Sequence, residues 1–408
     1  MALIQPAQPE AREPDGGRRG RKTLRYAVPA AVVGVTAATI GLVPALADSG
    51  DPSLPSLTAE QLITKIAASD TQTVDGTVKI STDLGLPSVL SGGSASGLFG
   101  GAVAPTGLSS SGSSPADPQR QFTQLLIGSH TLHVAADGQD RQKVSIIEPA
   151  AEYSVIHNGS EVWAYDSSSN EAYHSALPAQ DSTAGAHRQL RAQDFPATPQ
   201  AAAEQILTTA QGTASITVDG TAKVAGHSAY ELLIRPQHAS ATTVDSIRIA
   251  VDSKTGVPLK FTLQPKGNGK AALDIGYTKV SFDKPSASTF AFTPPKGVKV
   301  TEGRDAARER KAPEAKSGFG EPTVIGSGWD TIAVFQGKGA LPSGAEKNGK
   351  GGAAAMLGGF GKQVSGSFGS GTLFHTRLVN VLLTQDGSIY AGAVDQSALT
   401  AAANAAAR

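Results

Sequence analysis

Alternation of hydrophobic and polar residues dominates the chain from about residue 73 to residue 282 and predicts short β-strands. Asp137-Gly138 and Asn158-Gly159 separate several of these runs, and such pairs are typical of tight hairpins. The pattern therefore indicates an antiparallel meander. We predict strands from Thr73 towards Leu84 and over 131–135, 141–147, 153–157, 162–165, 228–234, 246–252, 258–263 and 272–282.

Two short amphipathic helices are predicted within this meander. Thr58 and Gln61 have the spacing of a capping box, and Thr198-Pro199 places a hydroxyl and a proline where a second helix would start. Apolar residues at helical spacing follow each start, namely Leu62, Ile63, Ile66 and Ala67, and then Ala202, Ile206 and Leu207. Each helix precedes a similar strand, since Thr217–Val224 repeats the pattern of Thr73–Ile80. One helix-then-strand unit used twice and chance reuse of a turn sequence both account for this repeat.

An uncharged stretch of 22 residues, Tyr26 to Ala47, follows a basic N-terminus and ends in Ala45-Leu46-Ala47. This order is typical of an export signal, and a helix of this length would span roughly 33 Å, enough for a bilayer. The stretch is therefore a cleaved signal peptide or a retained transmembrane anchor; a buried apolar helix is the third interpretation. In the first two cases residues 1–25 form a cytoplasmic tail, and everything after Asp48 lies outside the cytoplasm.

Composition divides the remainder of the chain into domains. Residues 57–300 form the predicted main domain, interrupted at 87–117 by Ser, Gly, Ala and Pro residues that we interpret as a disordered insertion. Residues 301–322 are a charged linker, and residues 323–408 form a small C-terminal α+β unit that ends in an Ala-rich helix.

Catalytic motifs are not evident in the sequence. The chain has no cysteine, and its 35 basic and 35 acidic residues balance, so a nucleic-acid partner is not expected. Gly361-Lys362 lacks the Ser or Thr of a phosphate-binding loop, because Gln363 follows. His130 and His133 would point to opposite faces of a strand, so they do not predict a metal site. We expect no enzyme activity, no cofactor and no metal.

An apolar container is the hypothesis that the residues favour. A curled meander with its helices on the concave side would bring apolar residues of both together around a ligand. The candidate cavity residues are Leu62, Ile63, Ile66, Tyr153, Val155, Trp163, Ile206, Leu207, Tyr230, Leu232 and Phe261. The alternative is that these residues simply fill a solid core.

The order of these segments resembles the actinobacterial proteins similar to the lipoprotein carrier LolA, which are also similar to the N-terminal domain of the envelope regulators RseB/MucB. The resemblance covers about residues 57–300. The matching stretches are Leu62–Ala68 before Val74–Thr77, Asp140–Lys143 before Val144–Ile147, Glu152-Tyr153 before Asn158-Gly159, Val162–Asp166, Val224–Tyr230, Val251-Asp252 to Gly256–Leu259, and Phe290–Gly297.

This resemblance implies an α+β fold: an unclosed antiparallel β-barrel with covering helices, whose hollow holds acyl chains. The expected function is extracytoplasmic binding of lipid or lipoprotein acyl chains, as a carrier or a sensor at the cytoplasmic membrane. An RseB/MucB-like regulator that binds an envelope protein partner is the alternative. The predicted anchor, the insertion and the C-terminal unit depart from the carrier, and none of the carrier's gating residues can be placed on this sequence.

Overall fold

A computed structural model describes residues 52–85, 127–176, 198–210, 212–267, 269–303, 322–336 and 361–407, and the single residues 116, 118, 121 and 125. The predicted signal or anchor at 26–47, almost all of the insertion at 87–117 and most of the linker at 301–322 lie outside these residues. Across the described ranges, no helix is long and apolar enough to cross a membrane.

The alternating segments form one large sheet, as predicted. Its strands are β1 (Thr73–Thr82), β2 (Gly128–Asp137), β3 (Arg141–Ile147), β4 (Glu152–Asn158), β5 (Glu161–Asp166), β6 (Glu171–Ala176), β7 (Ala214–Val224), β8 (His227–Pro236), β9 (Val244–Asp252), β10 (Pro258–Pro265), β11 (Leu273–Ser281) and β12 (Lys299–Glu302). Their order is β12-β6-β5-β4-β3-β2-β1-β11-β10-β9-β8-β7, so β12 and β7 are the edges of an unclosed sheet. Neighbouring strands are antiparallel except β12 and β6.

Helix α1 (Ala59–Ala67) and helix α2 (Pro199–Ala210) confirm the two predicted helices. Thr58 and Gln61 form the capping box, and the hydroxyl of Thr198 accepts a hydrogen bond from the backbone N–H of Ala201. Helix α1 packs on β7 and β8, and α2 packs on β10 and β11. We call the sheet face that carries both helices the inner face and the opposite face the outer face.

The sheet consists of two halves, each introduced by a helix. Helix α1 precedes β1 and the meander to β6, whereas α2 precedes β7 and the meander to β11, and β1 pairs with β11 to join the halves. The repeated sequence thus forms the first strand of each half. Strand β7 lies within 8 Å of β11, although three strands separate them in the sheet, so the second half is curled. The unclosed sheet with helices on one face agrees with the architecture that the resemblance implied.

A segment after β11, residues 283–298, crosses the outer face of the first half; we call it the strap. Its short 3₁₀ helix, Ala287–Phe290, packs on β3 and β4, and the side chain of Phe290 is buried. Lys284 pairs with Asp137 at the end of β2 at 3.4 Å. The strap leads directly into β12, which explains how a late strand reaches the far edge of the sheet.

The C-terminal unit is a second sheet with one helix, α3 (Gln396–Ala406). Its strands are β13 (Thr323–Ile325), β14 (Ile332–Phe335), β15 (Lys362–Gly366), β16 (Gly369–Phe374), β17 (Asn380–Thr384) and β18 (Ile389–Gly392), in the order β13-β14-β18-β17-β16-β15. Helix α3 packs on β17 and β18 around a separate apolar cluster that includes Leu382 and Leu399.

The second sheet contacts the main domain directly. The backbone N–H of Thr243 donates to the carbonyl of Ala393 at 2.8 Å, and Arg377 bonds Asp83 and the backbone of Leu84 at the end of β1. Trp329 packs against the apolar cluster of the main domain. The described parts of residues 51–408 accordingly belong to one compact unit.

Candidate apolar binding face

The inner face is apolar from the first half of the sheet to the second, and its side chains form one continuous cluster. Strand alternation produces it, because every second residue of each strand points to the same side. Val78 and Leu132 lie opposite each other on β1 and β2, and Ile249 and Phe261 do so on β9 and β10. The two helices cover this face, as a second sheet does in a β-sandwich.

The structure brings ten of the eleven candidate cavity residues to this cluster. Six are buried, with relative exposures of 5% or less: Leu62, Tyr153, Val155, Tyr230, Leu232 and Phe261. Four helix residues pack against the cluster but remain partly exposed: Ile63, Ile66, Ile206 and Leu207. The side of each helix that faces the sheet is thus buried. The four partly exposed residues form an apolar strip that solvent reaches, which we call the helix rim.

Trp163, the eleventh candidate, does not join the cluster. Ala164 lies opposite Val155 of the inner face, so the neighbouring Trp163 points to the outer face. There it stacks on His174 with ring centroids 4.1 Å apart and contacts Phe292 of the strap at 5.4 Å. The prediction chose the larger apolar side chain, whereas Val162 and Ala164 fill the inner positions. Strand β5 has apolar residues on both faces because the strap covers its outer face.

Small and specifically placed residues allow the helices to sit close to the sheet. Ala202, Ala203 and Ala210 are the buried alanines of α2, and their size permits close approach to β10 and β11. The segment before α1 is tied to β8 by the hydroxyl of Tyr230, which donates to the carbonyl of Pro55 at 2.9 Å.

Two described residues between β1 and β2 also reach the inner face. Leu125 is fully buried in the cluster, and its carbonyl accepts a hydrogen bond from the Thr82 hydroxyl at 3.0 Å. Ala116 is fully buried, and its carbonyl accepts from the hydroxyl of Tyr153 at 3.1 Å. Ala116 falls within the predicted insertion 87–117, and the rest of that insertion lies outside the described residues.

Two polar groups on this face were not predicted as site residues. Burial raises the pKa of Tyr277 to about 12, because its phenolate would lie in the apolar cluster. His157 is fully buried, and its Nε2–H donates to the carbonyl of Gly159 at 2.7 Å. Its Nδ1 has no hydrogen-bond partner among the described residues. The sequence alone does not show that a polar residue beside a hairpin turn will be buried.

Apolar side chains make up the inner cluster, and buried polar side chains of this face such as His157 lie beside it. No group of three or more His, Asp or Glu side chains could hold a metal ion among the described residues. The arrangement offers apolar contact area and isolated hydrogen-bonding groups, which suits binding of an apolar molecule.

Comparisons with known proteins give weak matches. No protein-family profile and no curated protein sequence matches this chain. An uncharacterized conserved protein from Thermus thermophilus is 11% identical with a TM-score of 0.31, covering 60% of this chain and 98% of its own. MucB in the Pseudomonas aeruginosa MucA/MucB complex is 14% identical with a TM-score of 0.38, covering 85% and 96%.

A LolA superfamily protein from Nitrosomonas europaea is 10% identical with a TM-score of 0.21, covering 58% of this chain and 99% of its own. Similarity at this level does not establish a family for the chain. It gives no support to an actinobacterial origin, which stays an expectation from the sequence.

Proposed function

We propose that this protein binds the acyl chains of a lipid or lipoprotein between its two helices and the inner face of its larger sheet, as a carrier or sensor. The observation that carries the proposal is the single apolar cluster that runs across both halves of an unclosed sheet. Its cover is two short helices, and the inward side of α2 consists largely of alanine.

The energetics favour a ligand of this class. Apolar burial contributes roughly 25 cal/mol per Å². An acyl chain that displaced the helix rim from the cluster would therefore offset the lost contacts by burying its own apolar surface. The partly exposed Ile63, Ile66, Ile206 and Leu207 are placed to make this exchange, because they already contact both the cluster and solvent.

A regulatory role with a protein partner is the second candidate, and a feature of the C-terminal unit favours it. Strand β13 is an edge of the second sheet, and its Val324 and Ile325 are 61% and 37% exposed. An exposed edge strand with apolar side chains can pair with a strand from another chain. The location proposed for either role is the extracytoplasmic side of the cytoplasmic membrane, with residues 26–47 as anchor or cleaved signal.

The direct test is binding of a fluorescent fatty acid to the purified chain and to Ile66→Asp and Leu207→Asp. Both positions are partly exposed, so we expect the variants to fold, as judged by circular dichroism, and to bind the probe at least ten times more weakly. Leu62→Asp should instead unfold the domain, because it buries an unpaired charge. Gln205→Asp is the matched control, since it adds the same charge at an exposed position of α2.

Two results would count against the binding proposal. If Ile66→Asp and Leu207→Asp unfold as Leu62→Asp does, the cluster is a solid core. If they fold and bind the probe as well as Gln205→Asp does, the helix rim takes no part in binding. Mass spectrometry of lipid that co-purifies with the wild-type chain identifies the ligand and separates a lipid binder from a protein-binding regulator.

A further inference from the structure

Strand β12 is attached to the larger sheet with almost no help from burial. It has four residues, none of them buried, and it pairs in parallel with β6, its one neighbour in the sheet. Val300 at its centre is 39% exposed. The hydrophobic effect therefore contributes little to its attachment, and polar contacts decide whether the strand stays in place.

The strongest of these contacts converge on His174 of β6. Its Nδ1 lies 2.9 Å from Oε2 of Glu302 on β12, and its Nε2 contacts Oε2 of Glu161 on β5. Carboxylate oxygens only accept hydrogen bonds when ionised, so both ring nitrogens must carry a proton to satisfy both partners. A neutral imidazole has one N–H and would set its other nitrogen's lone pair against a carboxylate.

We propose that His174 is a proton-operated latch, which in its charged form holds β12 and the end of the strap on the edge of the sheet and in its neutral form releases them. Glu161 belongs to β5, which pairs with β6 along six residues, whereas Glu302 belongs to the short edge strand. The contact with Glu302 is therefore the one that yields when a proton is lost.

The other polar groups around the latch are carboxylates, one lysine and one amide. Among the described residues, Glu161 and Glu302 are the charged groups that face the ring, and Trp163 stacks on it. Lys299 and Glu171 form an ion pair at 3.2 Å on the same strand pair. Asn170 holds the strap through its amide, which donates to the carbonyl of Gly297.

The direction of the pH response follows from the surroundings of the ring. Burial alone would lower the pKa of His174, but the hydrogen bonds and negative charges of Glu161 and Glu302 raise it above its ordinary value. A folded-state pKa above the unfolded one stabilises the attachment fully below the unfolded value, and this stabilisation is lost as the pH rises through the folded value. The latch is thus closed in mild acid and opens towards alkaline pH.

Hydrogen exchange of the full chain, followed by mass spectrometry between pH 5.5 and 9, tests the latch. After correction for the intrinsic exchange rate at each pH, we expect the protection of amides in 299–303 to fall about tenfold across this range. Amides of β8 and β9 should keep constant protection and serve as the internal reference. Histidine NMR titration should place the His174 pKa above about 6.5.

Two variants separate a latch from a merely pH-sensitive edge. Glu302→Gln should remove the pH dependence, because an amide can donate to a neutral ring nitrogen as well as accept from a charged ring. Lys299→Gln breaks the neighbouring ion pair, so it should lower protection at every pH and keep the dependence. Constant protection of 299–303 in the wild type, or an unchanged fall in Glu302→Gln, would overturn the proposal.

Discussion

Single residues decide how closely separate parts of this chain approach each other, and Gly256 is a clear case. It has a φ of +76°, a conformation that favours glycine, in the turn between β9 and β10. A Cβ built there would lie 2.5 Å from the carbonyl oxygen of Lys65 at the end of α1. The side chain of Lys65 bonds the same turn through the carbonyl of Lys254 at 3.2 Å. The C-terminal end of α1 therefore packs directly on this turn.

Gly256→Ala should consequently cost more stability than a backbone effect alone explains. Gly226→Ala is its control, because Gly226 has a similar φ of +87° and open space around its Cβ. We expect about 1 kcal/mol for the control from the unfavourable φ, and about 2–3 kcal/mol for Gly256→Ala because α1 must also shift. Urea denaturation of both variants measures the difference. Equal losses would mean that α1 does not rest on this turn.

At the scale of elements, the spacing of apolar residues and the residues typical of turns and helix caps predicted most of the main domain. Alternation with Asp-Gly and Asn-Gly turns identified strands on both sides of these turns, and the capping box identified α1 at its first residue. These signals work because they depend on neighbouring residues only. Strand β12 lacked any such signal, since it is short, exposed and parallel, and its partner β6 lies more than 120 residues earlier.

The strap explains why Trp163 lies apart from the inner cluster. Trp163 and Tyr165 alternate with Val162 and Ala164, so β5 is apolar on both faces and the sequence does not show which face is the inner one. Phe292 of the strap covers Trp163 and Tyr165, with ring centroids 5.4 Å and 5.5 Å away. Only the path of the strap, which follows from tertiary pairing, separates the two faces.

At the scale of the whole molecule, Arg377 ties the C-terminal unit to the main domain. Its guanidinium bonds the carboxylate of Asp83 at 2.8 Å and also the carbonyl of Lys270. Gly85 and Gly269 border the side chain, and a Cβ at either would collide with it. Arg377 thus contacts both the end of β1 and the turn between β10 and β11.

Arg377→Ala should loosen this junction without unfolding either sheet. Hydrogen bonds to charged groups contribute about 1.5–3 kcal/mol, and the partial exposure of this pair reduces the expected loss below that range, to about 1 kcal/mol. We expect calorimetry to show a separate, earlier transition of the C-terminal unit. Arg235→Ala, which removes an exposed arginine of β8, is the control. A single unshifted transition in Arg377→Ala would show that other contacts couple the units.

Export of the chain is the remaining prediction at this scale. The basic residues before Tyr26, the uncharged stretch and Ala45-Leu46-Ala47 predict that residues after Asp48 lie outside the cytoplasm. Protease added to intact cells should digest these residues, and a cytoplasmic protein should survive as control. An N-terminus at Asp48 would identify cleavage, whereas an intact N-terminus in the membrane fraction would identify an anchor. Protection until lysis would contradict export.

The sequence by itself determined most strands of the meander and the two helices, because alternation and capping are local properties. Ten of its eleven candidate residues lie in the inner cluster. Tertiary structure decided which face of β5 is covered, where β12 pairs and how the C-terminal sheet docks. It also brought His174 between two carboxylates and buried His157 and Ala116. These outcomes depend on residues far apart in the chain meeting in space, and no local pattern records such a meeting.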